Sequence, residues 1–563
     1  MQALIERLEG RQFLSATSPT ASVDPTVTGI SFGEVTNPTA VPSNAFVAVA
    51  IRLGSSGAPI NVNTIYIPNV ALYPTAQGPS HGVPLQQFLD GQGTELLLEP
   101  DGVLLQPNTQ YTVVVTSKVK DTNGNPVTPF STTFKTNSSG PTPSPGVHFK
   151  QINQTTSSGT HYTDVTMGPD GRLWASTLDG RIMAFPIDAA GNLGKPQVYT
   201  IVQANNGGSE TITGITFDPS STAADPKIWV TESEAGLSGA SDFTGKIALV
   251  SGANLTSYQN VVVGLPRSIR DHMTNQSTFG PDGALYVSQG ANTAMGAPDA
   301  IWGYRSEHLL NAAILRVDTK ALLARLAAGL GPLNVKTIDA GGPYNPYAAG
   351  ALVTLYATGV RNAYDILWAS NGHLYAPTNG SAAGSPVLAP PGQPQLGIAV
   401  DDQTEWDWLF DVKPGKYYGH PDAARGQYIL NDGNLGSSTI PLYDPQYPLG
   451  TKPDPNYQKP IFTFGPDESP DGIIQYKGNA FGGALNGHLL ITEYGAGDDI
   501  VDLTLTSNGS VNGTNIHKGT PGTTGMGDLL SLVENPTNGD IFVVSYENQT
   551  IYRLAVSPTA TAG

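Results

Sequence analysis

An imidazole and a carboxylate stand side by side at Asp271-His272, in a polar turn that leads into the alternating run TFGPDGALYVSQG. A histidine in such a turn suits general-base chemistry, because its unperturbed pKa lies near neutrality. The ordinary reading of a histidine at a strand end is a hydrogen-bonded loop residue, and the dipeptide alone does not separate the two. Glu307-His308 with Asp299 is a second grouping of metal-ligating types. Nothing there repeats at ligand spacing, so it reads as an exposed loop charge cluster. The chain has no cysteine, which excludes disulfides, Cys-ligated zinc or iron–sulfur centres and thiol nucleophiles. Gly-x-Ser-x-Gly, P-loop and Rossmann signatures are missing in strand–turn–helix context.

The elements that must position these residues are strands. TFGPDGALYVSQG reads as strand, tight turn, strand, with Pro281-Asp282-Gly283 as the turn. The same phrase, an apolar strand, a turn with Asp or Asn and Gly, a second strand, a loop and a third strand, occurs six times: from VTMGPDGRLWAS, ITFDPSSTAADPKIWVT, STFGPDGALYVS, ILWASNGHLYAP, IIQYKGNAFGGALNGHLLIT and LSLVENPTNGDIFVVS. Six such units predict a six-bladed β-propeller over residues 147–556, with a tail at 557–563. Within it the segment DTKALLARLAAG predicts a helix capped by Asp318, with Leu322, Leu323 and Leu326 on one face and Gly329 at its end. Upstream, residues 23–137 carry short strands between Pro, Gly, Asn and Ser clusters, the pattern of an Ig-like β-sandwich. The Pro/Ser/Gly stretch at 138–146 reads as an extended linker. The fold class is therefore all-β, a sandwich followed by a propeller. Gly (65) and Pro (45), close to one residue in five, with only 13% charged residues, agree with turn-rich β-structure.

Gly264-Leu265-Pro266, Asp271-His272, Phe279-Gly280-Pro281-Asp282-Gly283, Leu285-Tyr286 and Ile314-Leu315-Arg316-Val317-Asp318 form one block. Gly359-Val360-Arg361-Asn362, Asn371-Gly372-His373-Leu374-Tyr375, Asp407 and Lys413 to Pro421 form another. Together they resemble the glucose/sorbosone dehydrogenase family, soluble quinoproteins built on a six-bladed propeller. The resemblance implies that His272 takes a sugar hydroxyl proton as hydride passes to pyrroloquinoline quinone (PQQ). It implies further that Asp271 orients substrate and favours imidazolium, and that Arg361 and Asn362 bind the quinone oxygens. Main-chain carbonyls at Gly380 and Ser381 would help hold a cofactor Ca²⁺. The family's basic residues for the cofactor carboxylates have no counterpart in Tyr494 to Asp499 or Gly525 to Asp528, neither of which contains Arg or Lys. Ser209-Glu210-Thr211 and Tyr364 also depart from the family pattern. The alternative implied by these departures is a propeller that binds carbohydrate without catalysis, displayed by the Ig-like module.

Leu105 to Val115, Asp121-Thr122-Asn123-Gly124-Asn125-Pro126 and Phe134-Lys135-Thr136 resemble the bacterial Ig-like domain of surface-layer (SbsA-like) proteins, a spacer or adhesion module without chemistry of its own. Leu8-Glu9-Gly10-Arg11-Gln12-Phe13-Leu14-Ser15, within a leader at 1–22, resembles the export leader of planctomycete surface proteins, which implies an extracellular or cell-surface location. A net charge of −18 without a Lys/Arg cluster argues against nucleic acid or anionic membrane as partners, and the family resemblance implies a small carbohydrate instead. No run of the sequence has the length of a transmembrane helix.

Overall fold

The computed structural model describes residues 24–32, 38–43, 45–61, 64–65, 68–89, 93–100, 104–137, 141–294, 296, 298, 301–380, 406–427, 454–495 and 497–557. The leader motif and Ser381 lie outside them. The N-terminal part is a sandwich of two antiparallel sheets. One runs Thr26–Ser31, Val47–Arg52, Glu95–Pro100, Leu85–Leu89, and the other Val70–Pro74, Gln110–Val115, Phe130–Lys135. Strand alternation gives the first sheet two apolar faces. Val47, Val49, Leu96 and Leu98 enter the sandwich core, while Ala48 and Leu97 point away from it. The Asp121 turn connects Gln110–Val115 to Phe130–Lys135. Its carboxylate accepts the Asn123 and Asn125 amides at 2.9 and 2.8 Å, and Gly124 supplies a φ of 86°.

Six sheets follow, each listed from its innermost strand. The first blade is Tyr162–Met167, Leu173–Thr177, Ile182–Phe185 and Gln197–Tyr199. The second is Glu210–Phe217, Lys227–Glu234, Gly245–Ser251 and Ser257–Leu265, extended by the short parallel strand Leu333–Asn334. The third is Thr274–Phe279, Leu285–Gln289, Ala313–Val317 and Val353–Thr358, and the fourth Leu367–Trp368, Leu374–Thr378, Trp406–Val412 and Phe462–Pro466. The fifth is Pro470–Gln475, Leu489–Glu493, Ile500–Leu505 and Val511–His517. The sixth takes Leu529–Glu534, Ile541–Ser545 and Thr550–Val556 from the end of the chain and its outer strand, Phe149–Asn153, from the beginning of the propeller. That closure joins the two ends of the ring and leaves no unpaired seam.

The recurring turn explains the recurring phrase. In the first three blades its Asp accepts from the aromatic residue of the next strand: Asp170 from Trp174 Nε1 at 3.0 Å, Asp218 from Trp229 Nε1 at 2.9 Å, Asp282 from the Tyr286 hydroxyl at 3.3 Å. Side chains also latch each blade to the next near the channel. Asp164 accepts the Ile215 amide, Thr213 donates to the Thr274 carbonyl, Asn275 to the Ala363 carbonyl, Asp365 accepts the Ile473 amide, Thr492 donates to the Leu530 carbonyl, and Ser531 returns to Asp164. Tyr364, entering the fourth blade, donates its hydroxyl to the Thr163 carbonyl of the opposite first blade at 2.7 Å and so bridges the channel.

The helix Thr319–Ala327 is capped by Asp318, which accepts the Ala321 amide at 2.9 Å, and its buried Leu322 joins Val261, Val262 and Leu265 of the second blade's outer strand. A shorter helix, Ile201–Asn206, was not expected from the sequence. The linker is docked along residues 141–146: the Ser144 amide donates to Thr520 Oγ1 at 3.0 Å, and its hydroxyl donates to Asp502 at 2.9 Å. The sandwich likewise lies against the fourth blade. Phe46, Ala48 and Leu97 share an apolar cluster with Trp406, Trp408 and Phe410, the Trp406 amide donates to Glu99 at 3.0 Å, and Lys459 pairs with Glu95 at 2.5 Å.

Candidate functional site at the propeller mouth

His272 and Arg361-Asn362 precede the innermost strands of the third and fourth blades, while Asn379-Gly380 follow the second strand of the fourth. In an up-and-down blade these positions share one face, so the fold brings together residues about ninety apart in the chain. Their contact is the segment Gly290 to Ala294, which follows the second strand of the third blade. The His272 Nδ1 hydrogen bonds the Ala291 carbonyl at 3.0 Å. A carbonyl only accepts, so Nδ1 carries the proton and Nε2 keeps its lone pair; among the described residues Nε2 takes no hydrogen bond. Arg361 donates from Nε to the Ala294 carbonyl at 2.8 Å, and its own carbonyl accepts the Ala291 amide at 2.8 Å. Asn362 Oδ1 accepts Asn275 Nδ2 at 2.8 Å. A Cβ on Gly290 would lie 2.8 Å from both Asn362 Oδ1 and His272 Cβ, which is why the residue between them has no side chain.

Trp302 lies against both functional groups. Its ring is 4.5 Å from the His272 ring and 5.9 Å from the Arg361 guanidinium, centre to centre. His272 is 5% exposed. Burial first, and then the Arg361 charge, push its pKa well below 6.5, so the imidazole is held neutral. Asp271, in contrast, is exposed and is not among the charges acting on the ring. The expectation that Asp271 favours imidazolium is therefore corrected: the Arg361 and Arg267 charges act on the ring and lower its pKa, while the exposed Asp271 carboxylate acts on Arg267 and Asp471.

Gly380 is found beside Arg361, which donates from Nη1 to the Gly380 carbonyl at 2.7 Å. The Gly380 amide donates to Asp407 at 2.7 Å, and the other Asp407 oxygen accepts the Ser469 amide at 2.7 Å. Burial pushes Asp407 up to about 7. A small, partly enclosed crevice lies here, lined by Arg361, Gly380, Trp406, Trp408, Phe410 and His420 among others. Across the mouth Asn379 donates to Asp471 at 3.2 Å, and burial raises that carboxyl well above the usual range.

Glu307 overturns a sequence expectation. It is 4% exposed and lies in no loop charge cluster; its oxygens accept the Asn292 and Thr293 amides, each at 2.9 Å, and face His420 Nε2 at 3.0 Å. His308 turns the other way, to Asp339 at 2.9 Å and Asp242 at 3.6 Å, and although burial opposes its charge these carboxylates raise its pKa to about 9. Asp299 lies outside the described residues. Lys518 is a further cation here that the resemblance does not indicate, because it follows the fifth blade's outer strand, outside Tyr494 to Asp499 and Gly525 to Asp528. It contacts Glu493 at 2.7 Å, Glu468 at 2.9 Å and Asp499 at 4.0 Å on the same face. Trp302 had no sequence signal at all, since its contacts are made between loops.

Residues 20–136 match the family described as bacterial Ig-like domain, and residues 164–185 match the strictosidine synthase-like N-terminal family. No curated protein matches the chain. Similar solved structures include the PQQ-bound aldose sugar dehydrogenase of Streptomyces coelicolor, 17% identical, covering 73% of this chain and 99% of that one, with a TM-score of 0.41. The PQQ domain of pyranose dehydrogenase from Coprinopsis cinerea is 13% identical over 72% and 97%, with a TM-score of 0.45. A Trichoderma reesei carbohydrate-active enzyme of family AA12 is 15% identical over 74% and 98%, with a TM-score of 0.47. At these identities and TM-scores the likeness bears on neither substrate nor cofactor. No helix among the described residues is long and apolar enough to cross a membrane, which says nothing of β-barrels.

Proposed function

We propose that the chain is an exported or surface-associated oxidoreductase of the sugar or aldose dehydrogenase kind, acting at the propeller mouth. His272 takes the proton of a carbohydrate hydroxyl as the carbon-bound hydride leaves for a two-electron acceptor. The observation that carries this reading is the His272–Ala291 hydrogen bond, which leaves a neutral imidazole with its Nε2 lone pair free of protein donors among the described residues. A base must be unprotonated to act, and burial beside Arg361 keeps it so. The fixed guanidinium supplies positive charge where an alkoxide or a reduced acceptor develops negative charge.

The resident pair implied by the family resemblance, PQQ with Ca²⁺, does not fit these residues. The Gly380 carbonyl that would face a dication already receives a guanidinium. At the late blades Lys518 is matched by three carboxylates, so a tricarboxylate there meets like charge. The proton step rests on this chain's residues alone. This acidic, cation-poor rim is also the specific observation that favours the second reading, carbohydrate binding without oxidation. Dye-linked oxidation of a sugar panel, with and without added quinone and Ca²⁺, separates the two. Turnover that falls about 10²- to 10⁴-fold in His272→Ala supports the dehydrogenase. No dye reduction with any sugar, together with carbohydrate binding that survives in His272→Ala, supports the binding module.

A further inference from the structure

The segment Gly290 to Ala294 is a shared cradle. Its carbonyls at 291 and 294 hold His272 Nδ1 and Arg361 Nε. Something must in turn hold the segment, because a hydrogen bond to a mobile carbonyl selects no tautomer. The amides at 292 and 293 point the opposite way, and both end on one buried carboxylate, Glu307. The same carboxylate accepts the Thr293 hydroxyl at 2.5 Å, and Thr293 Oγ1 receives the Gly296 amide at 2.7 Å. Burial disfavours the charged form of Glu307, yet the His420 contact and these donors hold its pKa below the usual range, so it is an anion. His420 belongs to the fourth blade, and its own amide is fixed on the Gly359 carbonyl at 3.0 Å, two residues before Arg361. Beside it Arg425, paired with Asp422 at 2.6 Å, donates to the Leu309 and Asn311 carbonyls at 3.1 and 2.7 Å. Asn311 in turn donates to the Gly290 carbonyl at 3.0 Å. The third-blade loop is thus pinned from below by the fourth blade at both its ends.

We propose that Glu307 and His420 form a buried brace that fixes the Gly290 to Ala294 segment, and through its carbonyls sets the His272 tautomer and the seat of Arg361. Both are positioning residues: neither needs to touch substrate. The assignment rests on the reading of His272 as the base, but the brace itself is visible without any substrate.

The test is ¹⁵N NMR of the histidine side chains in the full-length protein, with no sugar, metal or quinone added. The His272 signals are identified by their loss in His272→Gln. Wild type is expected to show one tautomer, Nδ1 protonated and Nε2 bare. Glu307→Ala is expected to show exchange between tautomers, and Thr293→Val a smaller change in the same direction. A folded Glu307→Ala protein whose His272 keeps the single tautomer overturns the proposal. If Glu307→Ala does not fold, Thr293→Val and His420→Gln decide: exchange in either supports the brace, and an unchanged tautomer in both overturns it. Where wild type oxidises a sugar, Glu307→Ala is expected to lose kcat by on the order of 10²-fold with KM little changed, as for a misplaced catalytic group. A wild type that reduces no dye removes the dehydrogenase reading, while the tautomer comparison still decides the brace.

Discussion

Burial of His272 beside Arg361 settles its protonation before any substrate arrives. Because its pKa is pushed well below 6.5, the acid limb of any sugar oxidation should fall well below that pH rather than at it. A pH–rate profile of kcat/KM measures this directly, and a midpoint at or above 6.5 would contradict the neutral-imidazole assignment. Arg361→Ala removes the cation that depresses His272 and also the donor to the Ala294 and Gly380 carbonyls. In that variant the acid limb should move toward higher pH while the maximal rate drops. Of the candidate site, the resemblance pointed to His272, Arg361, Asn362 and Gly380, which the fold gathers around one segment and one guanidinium. It did not show Glu307 as a buried anion, because its partners come from residues 292, 293 and 420, and no local spacing encodes that meeting.

At the scale of elements, two contacts join parts of the chain that the sequence separates. The outer strand Phe149–Asn153 completes the last blade. Deleting residues 149–153 should leave Thr550–Val556 as an open edge and abolish a cooperative propeller transition, as read by circular dichroism on heating. The sandwich sheet contributes the other contact. Ala48 is 2% exposed and shares a cluster with the tryptophans of the fourth blade. Ala48→Asp places an unpaired charge there and should cost several kcal/mol. Calorimetry should show it as a lowered transition temperature of the propeller as well as of the sandwich. The apolar residues of AFVAVAIRL and TELLLEP are consecutive rather than alternating, which suits a sheet covered on both faces, but what covers the outer face is decided by the tertiary structure.

At the scale of the whole molecule, buried acids govern the pH dependence of stability. Burial pushes Asp164, Glu232, Asp407 and Asp422 each up to about 7. In the unfolded chain the same groups release their protons near pH 4. Between those values the folded state binds more protons, so their contribution is present at low pH and lost as pH rises through about 7. His272 acts in the opposite sense, since its folded pKa lies below 6.5 and its contribution is lost as pH falls below that value. The raised Asp471 carboxyl and His308, held at about 9, act in the same sense as these four and against His272, which predicts a higher unfolding temperature at pH 5 than at pH 8.5, at about 1.4 kcal/mol per pH unit for each proton retained. Thermal unfolding across that range checks the sign. Asp164→Asn, which removes one titrating group while keeping an acceptor for the Ile215 amide, should flatten the dependence.

What the sequence by itself determined is local. Turn residues at fixed offsets and period-two apolar runs specify strands, their hairpins and the sixfold phrase, and these follow from backbone geometry within a dozen residues. The Asp318 cap and the Asp121 turn were legible for the same reason. Only the tertiary structure decided which strand closes the ring, which face of the sandwich meets which blade, and which groups surround His272. Those depend on contacts between residues up to hundreds apart, where burial and neighbouring charge, rather than residue type, set a side chain's protonation and its partners. Glu307 has the same side chain in either reading. Its place under the Gly290 to Ala294 segment is what makes it a buried anion.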